Sequence, residues 1–476
     1  MESTSLIVWI LSSVYALLII GTFYAILTED TNPTKTMSWL LVLLAIPALG
    51  LIIYYAFGYN PRKRRHSSFI YNIFRDELVA KAPDKIRLSE NPHREKIEPS
   101  YRRLTDLLRQ SNDSNVLYGS KVEILTTGKQ KFEALIDDLN KATHHIHIEY
   151  FSFRKDKTGY MIRDLLMKKA REGVIVRFIY ENIANIDVSP SFFYKMKEAG
   201  VEVLPFSKSS LPFIRRKLNN RDHRKIVIID GKTGYTGGMN IGDEYAYEWR
   251  DTHLRIKGKG VYGLQYNFLH IWYESGGGIP EKVEDYFPDY EEYSANLMQV
   301  VPEAPNSPWP YLLLASSHLV SGARKYIYIQ TPYYLPPDSL MQALKAAALS
   351  GVDVRVMLPS KADLFFMDPA VHSYYEESLL AGIKIYEYQA AFLHAKTMVV
   401  DDYLSVIGST NMDLRSLEIN FEVNTYMYDP DIARQNYNIF MEDLKKCKEV
   451  TLEEWLQRPW WKKIVQSIMR LFSPIL

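Results

Sequence analysis

Apolar positions along this chain fall into unbroken runs, alternating stretches and helical stripes. The unbroken runs come first, at Leu6–Leu27 and Met37–Gly58. Each holds about twenty residues, the length a helix needs to cross a hydrocarbon core of roughly 30 Å. The short polar stretch Thr28–Lys35 joins them, which predicts a two-helix transmembrane hairpin. The first run lacks a basic leading segment and a small-residue cleavage site, which argues against a removed signal peptide. The basic cluster Arg62–Arg65 follows the second run directly. That placement predicts a multi-pass plasma-membrane protein with its body on the cytoplasmic side, against anionic headgroups.

From residue 115 onward the pattern changes. Val122–Leu125 and His145–Tyr150 alternate as strands, and Val174–Ile179 reads as a buried strand. Between them, Phe132, Leu135, Ile136 and Leu139 have helical spacing. A second helix carries Ile162, Leu165 and Leu166, with Asp156 or Thr158 at its start and Gly173 at its end. The second half repeats this order. Tyr326–Gln330 answers Ile146–Glu149, and Val352–Val356 answers Val174–Arg177. A helix with Leu340, Leu344 and Ala347 is expected between them, capped by Asp338. Strands alternating with helices, twice over, predict an α/β duplication. The domains expected are a hairpin (1–58), a connector (59–114), a first lobe (115–300) and a second lobe (301–476). The second lobe ends in an amphipathic helix near Trp460–Phe472, for which docking at a lipid interface and packing on the body are both open.

Charge adds little: 57 Lys and Arg face 56 Asp and Glu, a net charge of +1. No basic excess argues for nucleic acid. The single cysteine, Cys447, excludes an internal disulfide framework. The 34 tyrosines suit a lipid–water boundary.

The chemistry lies in one repeated constellation. In Asn220–Gly231, His223 precedes Lys225 by two residues, and Asp230 follows the lysine by five. His394, Lys396 and Asp401 repeat this spacing. Asn240 and Asn411 follow at matching distances, and Asp251 stands to His223 as Glu422 stands to His394. A lone His-x-Lys is ordinarily a surface strand pair, but a double match with carboxylates in register is not chance. In a strand, residues two apart share a face, so each His and Lys reach one site. Two imidazoles can attack a phosphodiester and protonate its leaving group. Lys225, Lys396, Asn240 and Asn411 can hold the phosphoryl oxygens. Asp251 and Glu422 can orient the imidazoles from their far ring nitrogens. Asp230 and Asp401 follow aliphatic runs and are expected to fix turns within the motif. His145, His147 and Glu149 share one strand face, but the repeat puts Tyr328 and Gln330 at related positions. No metal or cofactor is expected.

This constellation resembles the paired HKD motif of the phospholipase D superfamily. Trp39–Gly50, Arg221–Lys225, Gly408–Ser416, Asn420–Asn424 and the ending Leu471–Leu476 resemble the bacterial cardiolipin synthases within it. The resemblance implies two phospholipase D-like α/β/α sandwich lobes with the site on their pseudo-twofold axis. It implies a phosphatidyltransferase that joins two phosphatidylglycerol molecules and releases glycerol through a phosphohistidine. His223 would be the nucleophile and His394 the acid and base, an order that could be exchanged. Asp230 and Asp401 complete the catalytic motif in the family and are implied to serve the fold. Tyr150, Phe151, Thr331 and Tyr333 are expected at the lipid entrance. Two departures stand out: Asp222, where relatives commonly have Asn, and Glu181–Asn185, where a paired-acid turn is expected. A membrane-anchored hydrolase of phospholipase D type and a phosphatidylserine synthase are the alternatives. The expected partners are phosphatidylglycerol and anionic membrane lipids; monomer and homo-oligomer are both open.

Overall fold

The structure, a computed structural model, describes residues 2–28, 33–55, 65–81, 93–111, 114–206 and 220–473. The chain divides into two compact units, residues 1–64 with 209–219 and all remaining residues. Each unit is described on its own.

In the smaller unit a long helix, Glu2–Thr28, is followed by Pro33–Ala45 and Pro47–Ile53. Ile26, Leu43 and Tyr54 form a small core, with Trp39 edge-on to Tyr54 at 5.4 Å. The second apolar run is not one span. Pro47 has no N–H to donate and its ring crowds the preceding turn, so the helix breaks at Ile46, which takes φ −140°. Among the described residues no helix is long and apolar enough to cross a membrane. The expected hairpin of two full spans is corrected accordingly. Residues 56–64, with most of the Arg62–Arg65 cluster, lie outside the described residues.

The larger unit contains two mixed sheets of matching order. The first runs Lys121–Thr127, Arg250–Lys257, Thr233–Gly237, Lys225–Ile229, His145–Tyr150, Ile175–Glu181, Glu202–Phe206. The second runs Leu297–Glu303, Glu422–Tyr428, Leu404–Gly408, Thr397–Val400, Tyr326–Gln330, Asp353–Pro359, Lys384–Tyr388, with Leu117–Tyr118 and Cys447–Val450 at its edges. In both, the strand after the motif histidine pairs antiparallel with the strand that opens the α/β repeat. That strand pairs parallel with the next across a helix, the connection a parallel pair requires. Helices cover both faces of each sheet. Gly128–Lys141 and Lys157–Arg171 pack on one face of the first sheet and Gly260–Glu274 on the other. Tyr311–Gly322 and Asp338–Leu349 pack on one face of the second sheet and Pro430–Leu444 on the other. Asp156 caps its helix by accepting the Gly159 N–H at 2.9 Å. Asp338 does not cap; Pro337 takes that position and Asp338 is the first helical residue. The strand Leu297–Glu303 runs through residue 300, where the sequence suggested a lobe boundary.

Asp230 and Asp401 end the motif strands in left-handed backbone, φ 54° and 50°. Asp230 accepts the N–H groups of Thr143, His144 and His145 at 2.8–2.9 Å. Asp401 accepts those of Arg324, Lys325 and Tyr326 at 2.6–3.0 Å. Each carboxylate therefore clamps the start of the neighbouring strand. Burial raises the Asp230 carboxyl, but the donated N–H bonds outweigh it and leave its pKa below the ordinary value. Its contribution to stability is thus present above the usual carboxylate range and is lost as pH falls through its lowered pKa. We expect Asp401→Ala to lower unfolding free energy by about 2–4 kcal/mol, and Asp401→Asn by less. Denaturant titration measures both; equal losses for the two variants would refute the clamp.

Candidate active site

Each motif histidine is joined to the opposite lobe by the same backbone contact, made twice. His223 N–H donates to the Phe421 carbonyl at 2.9 Å, and Phe421 N–H donates to Arg221 at 2.7 Å. His394 N–H donates to the Arg250 carbonyl at 2.8 Å, and Arg250 N–H donates to Phe392 at 2.9 Å. These are the parallel bridges Asp222 to Phe421 and Arg250 to Leu393. Each histidine is thereby fastened by backbone to the opposite lobe, one residue from that lobe's carboxylate.

The carboxylates are exchanged. Glu422 lies in register with His394 along the sequence, yet both its oxygens accept from His223 Nδ1, at 3.0 and 3.1 Å. Asp251, in register with His223, accepts from His394 Nδ1 at 2.7 Å. Ser409 O also accepts from His223 Nδ1 at 3.1 Å. Since these partners can only accept, each Nδ1 carries the proton and each Nε2 keeps its lone pair. Behind Glu422, Ser409 Oγ donates to the carboxylate. Gly238 occupies the corresponding place behind Asp251, and a Cβ there would lie 2.1 Å from Asp251 Oδ1. The glycine admits the carboxylate where the other lobe uses a hydroxyl to hold it.

Lys225 and Lys396 fold back, each donating through Nζ to the carbonyl of its own histidine at 2.5 Å. Both are buried. Burial, with the charge of the other lysine at Lys225, lowers Lys225 to about 7 and Lys396 to about 8, despite the nearby Asp251 and Glu422. Burial also lowers His223, against Glu422, and takes His394 to about 3 with the help of Lys396. His223 feels Lys396 and His394 feels Lys225, so the four groups share one electrostatic site. Asn240 Oδ1 accepts the Ser152 N–H at 3.2 Å, and its side chain also hydrogen-bonds Tyr245. Asn411 lines a small pocket together with Lys396 and Thr331. Such a site can bind a phosphodiester between two ammonium groups and present a bare imidazole nitrogen to phosphorus.

The structure divides the other expected residues. Phe151 is half-buried and stands edge-on to His223 at 4.8 Å. Tyr333 is half-buried and donates to Asp363 at 2.8 Å. Tyr150 is not at an entrance: strand alternation turns it into the core, with Lys131 Nζ 5.1 Å from its ring centre. Thr331 is likewise buried, its hydroxyl donating to Tyr333 O and accepting Met412 N–H. Asp230 and Asp401 stand five residues along their strands from the lysines, about 17 Å by strand rise, and serve the turns described above. His145 and His147 bond Gln265, at 3.2 and 2.9 Å, and His147 stacks on Phe268. They belong to the layer under Gly260–Glu274.

Sequence reasoning passed over Trp249 and Phe392, whose rings stand 4.9 and 6.0 Å from that of His394. Phe392 lies two residues before His394 and Trp249 two before Asp251, so strand alternation around the motif held the signal. Lys131 was also missed. It is fully buried, donates to Asn240 O at 3.4 Å and feels Asp251; only the tertiary fold brings it there.

Directly behind His223 lies a buried cluster of Glu149, Asp222 and Arg224. Arg224 Nη1 is 4.0 Å from Glu149 Oε1, and Arg224 N–H donates to Asp222 Oδ1 at 3.3 Å. Both Glu149 oxygens and Asp222 Oδ2 lack a donor among the described residues. Burial raises both carboxyl groups, and they contact one another. Two carboxylates cannot hydrogen-bond without a proton between them. One shared proton satisfies the contact and, with Arg224, makes the cluster neutral.

Comparison with known proteins gives the family. Residues 135–272 and 317–444 match the family described as cardiolipin synthase, PLD-like domain, and residues 16–58 match phospholipase D-nuclease N-terminal. Cardiolipin synthase 2 of Bacillus anthracis is 39% identical over 95% of this chain and 88% of its own length. The major cardiolipin synthase ClsA of Bacillus subtilis is 38% identical over 98% of this chain and 99% of its own. Among solved structures, phosphatidylserine synthase of Haemophilus influenzae superposes with a TM-score of 0.58 at 15% identity, over 78% of this chain and 98% of that one. The last likeness is one of fold.

Two outcomes are expected. Affinity for a dialkyl phosphate, whose single charge does not titrate near neutrality, should fall as pH rises through about 7 to about 8, where Lys225 and Lys396 lose their protons. Calorimetry across that range reads it, and a flat profile would rule out cationic lysines as the anion's hold. Glu149→Gln and Asp222→Asn should each fold with near-parental stability. The double variant strands the Arg224 charge and should lose about 3–5 kcal/mol beyond the sum of the two; additivity in denaturant unfolding would refute the shared proton.

Proposed function

Because the chain belongs to the cardiolipin synthase family of phospholipase D-like proteins, we infer that it makes cardiolipin by transferring a phosphatidyl group between two phosphatidylglycerol molecules. The observation that carries the substrate is a match over nearly the whole chain to cardiolipin synthases of Bacillus. The chemistry is supported by two imidazoles, each held at Nδ1 by a carboxylate from the other lobe and flanked by a lysine.

In the first step the His223 Nε2 lone pair forms a bond to phosphorus and the bond from phosphorus to the glycerol oxygen breaks. His394 gives its Nε2 proton to that oxygen, and glycerol leaves. In the second step neutral His394 takes the proton of the primary hydroxyl on a second phosphatidylglycerol. The freed oxygen bonds phosphorus, the P–N bond breaks, and cardiolipin is complete. Lys225, Lys396, Asn240 and Asn411 hold the non-bridging oxygens. Glu422 and Asp251 stabilise each imidazolium as it forms. Burial and Lys396 keep His394 neutral down to about 3. A phosphodiester anion between the lysines offsets their repulsion, and lets the ring carry the proton it must donate.

The exchanged assignment, with His394 as nucleophile, is the alternative, since burial lowers both imidazoles and keeps each in the neutral, nucleophilic form. Peptide mapping of a phosphoenzyme quenched and kept at alkaline pH, where the P–N bond survives, decides between the two. The aliphatic and aromatic side chains exposed on the N-terminal helices, among them Leu17, Ile20, Leu41, Leu44 and Ile52, support membrane attachment through that segment. With the basic cluster beyond it, the catalytic unit would lie on the cytoplasmic side.

The test is a product assay on the full chain in liposomes of phosphatidylglycerol. Equal amounts of cardiolipin and glycerol are expected, and neither from His223→Ala or His394→Ala. Phosphatidic acid in their place would make water the acceptor and the protein a hydrolase. Turnover only with an activated lipid donor and serine would make it a phosphatidylserine synthase.

A further inference from the structure

The C-terminal helix Trp460–Phe472 is amphipathic but packs the wrong way round for a soluble protein. An ordinary surface helix turns its apolar stripe to the core. Here the inward positions are Gln466, Met469, Arg470 and Ser473. Gln466 accepts from Arg458 at 3.0 Å. Arg470 bonds Glu377 and the Ser373 carbonyl and lies over the Tyr374 ring at 4.4 Å. The outward positions are Trp460, Trp461, Ile464, Ile468, Leu471 and Phe472, all 46–78% exposed. Their spacing makes one continuous face of the helix.

Two observations indicate what covers this face. Beside this face the helix carries Lys462 and Lys463, and it has no acidic residue. A second copy apposed on the same face would bring like charges together, whereas anionic headgroups complement them. The face also leads toward the active site. The short helix Met367–His372 packs against the C-terminal helix. The loop before it carries exposed Leu364 and Phe365, the latter 91% accessible. The adjoining Asp363 accepts from Tyr333 and acts on Lys396.

We propose that the outward face of Trp460–Phe472, with Leu364 and Phe365, seats in the interface of an anionic lipid bilayer and holds the mouth of the active site against it. The proposal rests on the reading that the substrate is a phospholipid. Large apolar side chains settle between headgroups and acyl chains while cations beside them engage the lipid phosphates. This surface belongs to the catalytic unit itself.

The experiment uses the full chain with Cys447→Ser and a single cysteine, Ile468→Cys or, as control, Lys129→Cys on the first lobe. Each carries an environment-sensitive dye, in vesicles of phosphatidylglycerol or of phosphatidylcholine that contain lipids with brominated chains. The dye at 468 should be quenched at least about threefold more in the anionic vesicles, and the dye at 129 in neither. In parallel, Trp460→Ser/Trp461→Ser/Ile468→Ser should raise the apparent KM for vesicle phosphatidylglycerol about tenfold. Its kcat on dispersed short-chain phosphatidylglycerol should be unchanged. An unquenched dye at 468, equal quenching in both lipids, or a dye response that follows protein concentration in detergent without vesicles would overturn the proposal; the last would assign the face to a second copy. Cardiolipin formation by the parent protein reports separately on the function. Quenching without cardiolipin would keep the surface and remove the synthase reading.

Discussion

Each motif imidazole is held by the lobe it does not come from. Backbone hydrogen bonds tie His223 to Phe421 and His394 to Arg250. Those bonds bring Glu422 and Asp251 to the opposite rings. A carboxylate held this way fixes both the tautomer and the direction of the ring. Neither half of the duplication can make a complete site alone, because each supplies the other's anchor. Burial of Lys225 and Lys396 follows from the same junction. Two cations drawn from water beside each other become poor at keeping their protons, which readies the site for a phosphate anion.

The interior behind the site is built to tolerate charge. Arg224 is wholly buried, yet donates to the Glu422 and Glu303 carbonyls and lies beside Glu149 and Asp222. Arg250 is held by Asp443, which also accepts from Gln330. Such networks cost more to break than to keep, so they act as rigid backing for the two histidine loops. The outer surface of the same unit follows another logic, with a helix that offers its apolar side to the surroundings.

Much of the fold was legible in the chain. The alternation in His145–Tyr150 and Tyr326–Gln330 set two strands, and the repeated order of strands and helices set the duplication. The roles of Asp230 and Asp401 in turns followed from their place after aliphatic runs, and their left-handed backbone gives the reason. The second apolar run misled, because length and hydropathy outweighed Pro47. Of the residues expected at the lipid entrance, Tyr150 and Thr331 are buried. Tyr150 and Phe151 are neighbours in sequence, and strand geometry sends one into the core and the other to His223.

By itself the sequence determined the chemistry: two histidines, two lysines and two asparagines at matched spacing, with a carboxylate in register with each set. Spacing along a strand fixes which residues share a face, so these groups were readable as sets. Which carboxylate serves which histidine was decided only by the tertiary structure, because that partnership crosses between lobes far apart in the chain. The same holds for Lys131, for the burial of Glu149 beside Asp222, and for the outward turn of Trp460–Phe472. Periodicity shows that a helix has two faces; only the packing of Gln466 and Arg470 against the body determines which of them meets the surroundings.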